Sequence, residues 1–193
     1  MLLQILTYTH HLTTMLFGIF LSAFFLGVKQ NKKNVCILLG GGAVSGLFFL
    51  ICNTVFGSLF TEAVYPIFVH LPLFLLLVFY YRFRWLPSII SIMTAYLCCQ
   101  FSNWAGIFAL SLSGLDWVYY LVRIIVTVAV FAFLSRYLCQ TTALLFAKSD
   151  RELYILGAMP FVYYVFDYST TKFSMLLYSG NKVVVEFLAF AMC

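Results

Sequence analysis

The chain has 193 residues, of which 64% are hydrophobic and only 9% are charged, whereas a soluble domain carries about 25% charged residues. This composition excludes a largely water-facing surface, so we expect the lipid bilayer to contact most of a single transmembrane domain covering residues 1–193. The net charge of +5 does not indicate nucleic-acid binding, because the basic residues form short clusters between apolar runs, as membrane topology requires.

The apolar runs predict an all-α fold, a polytopic membrane helix bundle with six full transmembrane helices and a partial seventh. The full spans are expected at about 2–28, 35–56, 64–81, 87–112, 117–138 and 153–170, and the partial span at 183–193. The segment 139–152 is open to two interpretations, a short amphipathic helix on the inner membrane surface or a polar loop.

The last apolar run, 183–193, is too short to cross a bilayer. Its 11 residues make about 16 Å of helix, against a hydrocarbon core of about 30 Å. We expect the chain to be a fragment whose seventh helix continues beyond Cys193. The alternative is a short helix that dips into the protein and stops.

The basic residues between the runs predict the orientation in the cell membrane. The links after the first, third and fifth spans carry most of them, namely Lys29, Lys32, Lys33, Arg82, Arg84, Arg136, Lys148 and Arg151. Because basic links stay in the cytoplasm, we expect a multi-pass protein with its N-terminus outside and its C-terminus directed inward. Lys172 and Lys182, in an outer link, are exceptions to this pattern.

Small residues recur four positions apart in the first two spans. Gly18 and Ser22 do so in the first span, and Gly42 and Gly46 in the second. Such spacing lets helix backbones approach closely, so we expect these two helices to pack tightly. Close approach of a ligand to the glycines is the alternative interpretation.

Four ionisable residues share one depth in this topology, the outer third of the bilayer: Asp116, Arg123, Asp167 and Glu186. Six tyrosines lie at the same level: Tyr119, Tyr120, Tyr163, Tyr164, Tyr168 and Tyr178. Ionisable groups inside membranes usually face the protein interior and mark functional sites, so one hypothesis is an outward-facing pocket for a ligand or signal. Its candidate residues are Asp116, Arg123, Tyr120, Asp167, Tyr168 and Glu186. The alternative is structural, with acids neutralising the arginine and tyrosines forming an interfacial belt.

Three further polar residues lie deeper in the predicted spans. His70, between Pro66 and Pro72, is interpreted as a hydrogen-bonded packing residue, or alternatively as a proton-sensitive site at a kink. Gln100 and Asn103 are one turn apart and predict hydrogen bonds across helices, with a substrate path as the alternative.

Signatures of metal and enzyme chemistry are missing from the sequence. The six cysteines show no CxxC or Cys/His ligand spacing. The adjacent His10 and His11, expected at or outside the outer surface, are poor evidence for a metal site. Since no GxSxG, HExxH or GxxxxGKS/T motif occurs either, we expect no metal, no cofactor and no enzymatic activity of this chain alone.

Five segments carry a resemblance to a known family: 160–171 (PFVYYVFDYSTT), 177–180 (LYSG), 183–188 (VVVEFL), 71–75 (LPLFL) and 94–104 (TAYLCCQFSNW). They look like the membrane half of bacterial GHKL-type sensor histidine kinases, which are similar in layout to peptide-sensing quorum kinases. The resemblance implies a multi-helix sensor feeding a cytoplasmic helix, a dimerisation segment and an ATP-binding domain, with a homodimer in the full-length form. This sequence contains neither a phosphoacceptor segment nor an ATP-binding domain, so kinase activity is not carried over.

Three functions are therefore open. The first is the sensor domain of a two-component-type histidine kinase, which binds an extracellular or outer-leaflet peptide or small molecule and signals to a cytoplasmic output. The second is a small transport protein, such as the substrate-binding membrane subunit of an importer, with its site near mid-membrane. The third is an inactive truncated remnant.

Overall fold

The computed structural model describes residues 2–57, 61 and 64–168, and the regular structure in this part of the chain is all helical. Seven helices follow one another there: α1 (Leu2–Phe25), α2 (Lys32–Phe56), α3 (Pro66–Tyr80), α4 (Trp85–Ser113), α5 (Asp116–Tyr137), α6 (Cys139–Phe146) and α7 (Asp150–Tyr168). The predicted all-α class is confirmed for these residues. The partial span expected at 183–193 lies outside them.

Three of these helices, α2, α4 and α5, are long and apolar enough to cross a membrane. They contain 25, 29 and 22 residues, which at about 1.5 Å per residue exceeds a hydrocarbon core of about 30 Å. The other predicted full spans coincide with helices that are shorter or more polar. The apolar helix α3 is under 18 residues long, α1 begins with a polar stretch at 7–14, and α7 carries four charged residues. The chain is thus consistent with a membrane protein.

Helix α3 departs from regular α-helical geometry. Its first turn, Pro66–His70, and its last, Leu76–Tyr80, are π-helical, and the turn Leu71–Leu75 between them is α-helical. Pro72 has no N–H to donate to the preceding turn, and such an interruption is compatible with wide i to i+5 turns. The helix therefore changes its hydrogen-bonding pattern on both sides of this proline.

The buried apolar side chains collect at one end of the bundle, which we call the apolar half. Helix α4 packs against α1, α5 and α7, while α2 packs against α1 and α3. The cluster includes Phe17, Leu21, Leu38, Leu73, Leu77, Ile90, Leu134 and Leu153. These residues come from the C-terminal parts of α1, α3 and α5 and from the N-terminal parts of α2, α4 and α7. Successive long helices therefore run in alternating directions.

The segment 139–152 is helical from Cys139 to Phe146, as one of its two interpretations expected. This helix, α6, packs against α1: the Phe146 and Phe25 rings are 6.4 Å apart, and the Ala143 side chain lies beside Gly27. Gly27 has a φ of +87°, a conformation that glycine adopts without steric cost. Burial raises the pKa of the Cys139 thiol to about 11, so it stays protonated and packs as a small hydrophobic group.

Close packing of α1 on α2 depends on the glycines of α2. A Cβ added at Gly42 would lie 3.1 Å from Ile19 Cδ1, and one added at Gly46 would lie 3.4 Å from Met15 Cε. Gly18 has open space around it, since no atom lies within 4 Å of its added Cβ. Ser22 is buried and donates a hydrogen bond to the Gly18 carbonyl at 2.6 Å, so its hydroxyl is satisfied within α1.

Candidate functional site

Arg123, near the N-terminal end of α5, lies directly against the backbone of α4. A Cβ built on Gly106 of α4 would lie 2.9 Å from Arg123 Cδ and 3.1 Å from the Tyr119 ring. Only glycine fits this position without displacing the arginine side chain. Gly106 thus allows the guanidinium to lie between the two helices instead of extending into lipid.

Hydrogen bonds lead from Arg123 into the middle of α4. Arg123 Nη1 donates to the Tyr119 hydroxyl, whose ring also lies 5.1 Å from the guanidinium carbon. The Tyr119 hydroxyl donates to Asn103 Oδ1 at 3.4 Å, and Asn103 Nδ2 donates to Gln100 Oε1 at 3.2 Å. Asn103 and Gln100 are both buried; Asn103 is hydrogen-bonded across the α4–α5 interface, and the two amides are bonded to each other within α4.

The same chain of hydrogen bonds continues from α4 to α7. Gln100 Nε2 donates to Asp167 Oδ2 at 3.4 Å, and the Tyr96 hydroxyl donates to the same oxygen. Asp167 is 3% exposed, so these bonds from α4 stabilise a carboxyl group that faces the bundle interior. We call the connected set Arg123, Tyr119, Asn103, Gln100, Asp167 and Tyr96 the polar relay.

The donors of the polar relay point in one direction. From Arg123 through Tyr119, Asn103 and Gln100 to Asp167, each group donates to the next. A cation at one end and a carboxylate at the other favour this order, because each bond polarises its neighbours. Two of the bonds are 3.4 Å long, at the weak end of the hydrogen-bond range.

Helical spacing on α4 explains why these residues meet. Tyr96, Gln100 and Asn103 occupy positions i, i+4 and i+7, and Gly106 follows three residues later, so all four share one face of the helix. Gln100 and Asn103 were predicted from the sequence as partners across helices, whereas Tyr96 and Gly106 were not. The i, i+4, i+7 pattern of polar residues in an apolar helix was the signal that could have found them.

His70 of α3 extends the site towards α7. Its Nδ1 lies 2.8 Å from the Tyr164 hydroxyl, and its ring packs edge-on against Tyr96 at 6.0 Å. The Tyr96 and Tyr164 rings are themselves 4.9 Å apart. The histidine is thus hydrogen-bonded and packed beside the carboxylate end of the polar relay.

His10 of α1 lies beside the arginine end. Sequence analysis expected it at the outer surface, but it is only 4% exposed. Its ring is 5.8 Å from that of Tyr120, its Nδ1 is 3.3 Å from the Thr14 hydroxyl, and Arg123 is close enough to act on it electrostatically. Tyr120, a predicted pocket residue, therefore contacts the site through His10.

The other predicted pocket residues are placed less centrally. Asp116 is exposed at the start of α5, and among the described residues no ion pair joins it to Arg123. Tyr168 ends α7, and its side chain lies outside what the structure describes, as does the whole of Glu186. Within the described ranges no three His, Cys, Asp or Glu side chains are grouped as they are in a metal site.

Comparison with protein-family models, curated proteins and solved structures finds no match for this chain. The resemblance to sensor histidine kinases therefore depends only on the five sequence segments quoted above and stays a prediction. The arrangement of the site itself is what supports a function: a cation and a carboxylate on different helices, joined through neutral polar groups in an otherwise apolar bundle.

Proposed function

We propose that the chain is a membrane-embedded sensor domain, in which a ligand replaces hydrogen bonds of the polar relay and so changes how α5, α4 and α7 pack. The observation that carries this proposal is the relay itself, which connects Arg123 on α5 with Asp167 on α7. Polar groups of this kind are costly inside a membrane protein and are commonly functional. The binding chemistry suited to the relay is hydrogen bonding and charge pairing.

The proposed topology has six membrane crossings, by α1 to α5 and α7, with the N-terminus outside. The alternating helix directions support it. They place the C-terminal parts of α1, α3 and α5 beside the N-terminal parts of α2, α4 and α7, at the end of the bundle assigned to the cytoplasmic side. The ion pair between Arg84 Nη1 and Asp150 at 2.8 Å supports it too, since it joins two basic links that are assigned to the cytoplasmic side. In this orientation the apolar half faces the cytoplasm and the polar relay lies in the outer half.

Signalling requires two helix arrangements that the ligand binds with different affinity. Asp167 is suited to couple them, because it lies in the last turn of α7 and is bonded to two residues of α4. The sequence beyond it leads to the apolar run 183–193. By the resemblance, a parent protein would continue from there to a dimerisation segment and an ATP-binding domain, and would act as a homodimeric histidine kinase.

A kinase chimera tests the proposal. The chain is joined at Cys193 to the cytoplasmic half of a GHKL kinase, and autophosphorylation is measured in proteoliposomes. Asp167→Asn removes the charge that accepts two bonds, so we expect kinase output to shift about fivefold in either direction, as a change of about 1 kcal/mol in a two-state equilibrium would produce.

Asp150→Asn is the matched control, because it changes an exposed aspartate at the opposite end of the same helix. It should leave autophosphorylation within about twofold of wild type, as an exposed pair contributes little. A folded Asp167→Asn chimera with the wild-type output would contradict the sensor proposal.

A second candidate, the substrate-binding membrane subunit of an importer, is favoured by one observation. The buried amides of Gln100 and Asn103 are linked by hydrogen bonds to Asp167 and, through Tyr119, to Arg123. A substrate inside the bundle would therefore meet charged groups as well as amides. Native mass spectrometry of detergent-purified protein separates the two functions. A stoichiometric small molecule, lost in both Gln100→Leu and Asp167→Asn, together with an unresponsive chimera, would favour the importer.

A further inference from the structure

Arg123 is a half-buried guanidinium without a carboxylate partner in the part of the chain that the structure describes. Its Nη1 donates to Tyr119, a neutral phenol, and its Nε is buried with no hydrogen-bond partner there. The described ion pairs involve only Arg84 with Asp150 and Lys148 with Glu152. In the described part of the chain, the positive charge of Arg123 is thus connected to Asp167 through the polar relay.

Nor do the described groups that interact with Arg123 supply a negative charge. His10 of α1 and Cys99 of α4 are close enough to interact with it electrostatically, and Tyr119 lies beneath it on α5. Imidazole, thiol and phenol are not anionic near neutral pH under ordinary conditions. The cation–π contact with Tyr119 offsets part of the desolvation cost, but a charged partner would offset far more.

We propose that the ligand of the sensor presents an anionic oxygen group, a carboxylate or phosphate, that pairs with Arg123; this inference rests on the sensor function proposed above. The planar guanidinium offers Nε and Nη2 side by side, and such an edge matches two oxygens of one anion. His10, on α1, lies close enough to interact electrostatically with Arg123.

This pairing explains how binding would reach the rest of the bundle. Because Nε is buried, an anion reaches that edge only if a neighbouring group moves aside or the arginine is drawn outward. Drawing the arginine outward weakens the bond from Nη1 to Tyr119, which is the first bond of the polar relay. An anion bound to Arg123 and the intact polar relay thus compete for the same side chain.

Fluorine NMR on the purified full chain in dodecyl maltoside micelles tests the proposal with 4-(trifluoromethyl)benzoate as the probe. The neutral 4-(trifluoromethyl)benzamide has almost the same shape. We expect the benzoate to bind at least about tenfold more tightly than the benzamide, since only the benzoate can form charge-assisted hydrogen bonds. Equal affinities, or no saturable benzoate binding, would overturn the inference.

Variants locate the binding. Arg123→Gln should weaken benzoate binding at least about tenfold, whereas Arg136→Gln, an arginine at the other end of the same helix, should leave it unchanged. Arg123→Lys keeps the charge but loses the paired donors, so its affinity should fall between those of wild type and Arg123→Gln. It serves as the second variant if Arg123→Gln does not fold. Wild-type affinity in both Arg123 variants would overturn the inference.

Adding phosphatidylglycerol to the micelles separates two sources of the anion. If a lipid phosphate occupies Arg123, the lipid should displace benzoate from wild type and have no such effect on Arg123→Gln. If it does not compete, the anion is the carboxylate or phosphate of a soluble ligand. Benzoate binding that depends on Arg123 while the chimera ignores Asp167→Asn would reject the sensor function and keep the anion site. If the chimera responds to Asp167→Asn but benzoate binding does not depend on Arg123, only the anionic ligand is rejected and the sensor function is kept.

Discussion

The two halves of the bundle are built from the same helices but are held together differently. In the apolar half, aromatic and aliphatic side chains pack around Phe17, Leu21 and Leu77. In the other half, which we call the polar half, α4 contacts α5 and α7 through the hydrogen bonds of the polar relay, which includes Arg123 at one end and Tyr96 at the other. The first kind of contact tolerates little movement, while the second can exchange one polar partner for another.

This difference suggests a division of roles. Lipid tails are as apolar as leucine, so the hydrophobic effect contributes little to contacts between helices in a membrane. The apolar half is held together mainly by close packing of its side chains, because a cavity there would be costly. In the polar half, the long flexible side chain of Arg123 lies against Gly106 and the phenol of Tyr119, to which it also donates a hydrogen bond. A rigid end and an adjustable end are what a sensor needs to convert local binding into helix movement.

The largest effect on stability is expected from Leu21→Ala in the apolar half. Leu21 is 0% exposed, so truncation leaves a cavity, and we expect a loss of about 2 kcal/mol, the lower end of the range for soluble proteins. The lower end applies because transfer into lipid costs a leucine nothing. The loss in the free energy of unfolding is measured by steric trapping in bicelles, under conditions where unfolding is reversible.

Leu47→Ala is the matched control for this prediction, since Leu47 lies on α2 and is 62% exposed. Its free energy of unfolding should change by less than about 0.5 kcal/mol, as is usual for a surface position. Equal losses of stability in Leu21→Ala and Leu47→Ala would show that the apolar half is packed no more tightly than the exposed surface of the bundle.

Gly106→Ala should have the next largest effect and should act on the polar half. The added methyl group would lie 2.9 Å from Arg123 Cδ, so α4 and α5 must separate or the arginine must move, at a cost of about 1–2 kcal/mol. We expect benzoate affinity to change with it, because the variant displaces the guanidinium from its position beside Tyr119.

Gly18→Ala provides the comparison, because no atom lies within 4 Å of a Cβ added there. An alanine in a helix interior is favoured over glycine by up to about 1 kcal/mol, so this variant should be neutral or slightly stabilised. A Gly106→Ala protein as stable as Gly18→Ala would show that Arg123 is not held against α4.

Sequence was sufficient for the helices themselves. The span expected at 87–112 agrees within two residues with α4 (Trp85–Ser113), and that expected at 35–56 agrees with α2 (Lys32–Phe56) apart from its first three residues. Long apolar runs between short polar links leave few alternatives. The π-helical turns of α3 were not predicted, because proline indicates an interruption but not the geometry that results.

The connections of the site could not be predicted in the same way. Arg123 and Asp167 were recognised from their cost inside a membrane, but their link through Asn103 and Gln100 depends on which faces of α4 meet α5 and α7. Depth along a helix can be read from sequence, whereas rotation about its axis is set by packing against neighbours. For the same reason the sequence could not decide whether Asp116, which one interpretation made a partner of Arg123, lies beside it; Asp116 is exposed.

The smallest effect is expected at the rim of the apolar half, where Arg84 bonds to Asp150 at 2.8 Å and to the Lys148 carbonyl at 2.7 Å. Both charged side chains are more than half exposed, so the pair should contribute a coupling energy below about 0.5 kcal/mol. A double-mutant cycle of Arg84→Gln and Asp150→Asn, measured by the same unfolding method at low and high salt, gives this energy. A coupling above 1 kcal/mol that persists in high salt would mean that an electrostatic contact, and not side-chain packing alone, holds this end of the bundle, and the contrast between its halves would then be one of degree.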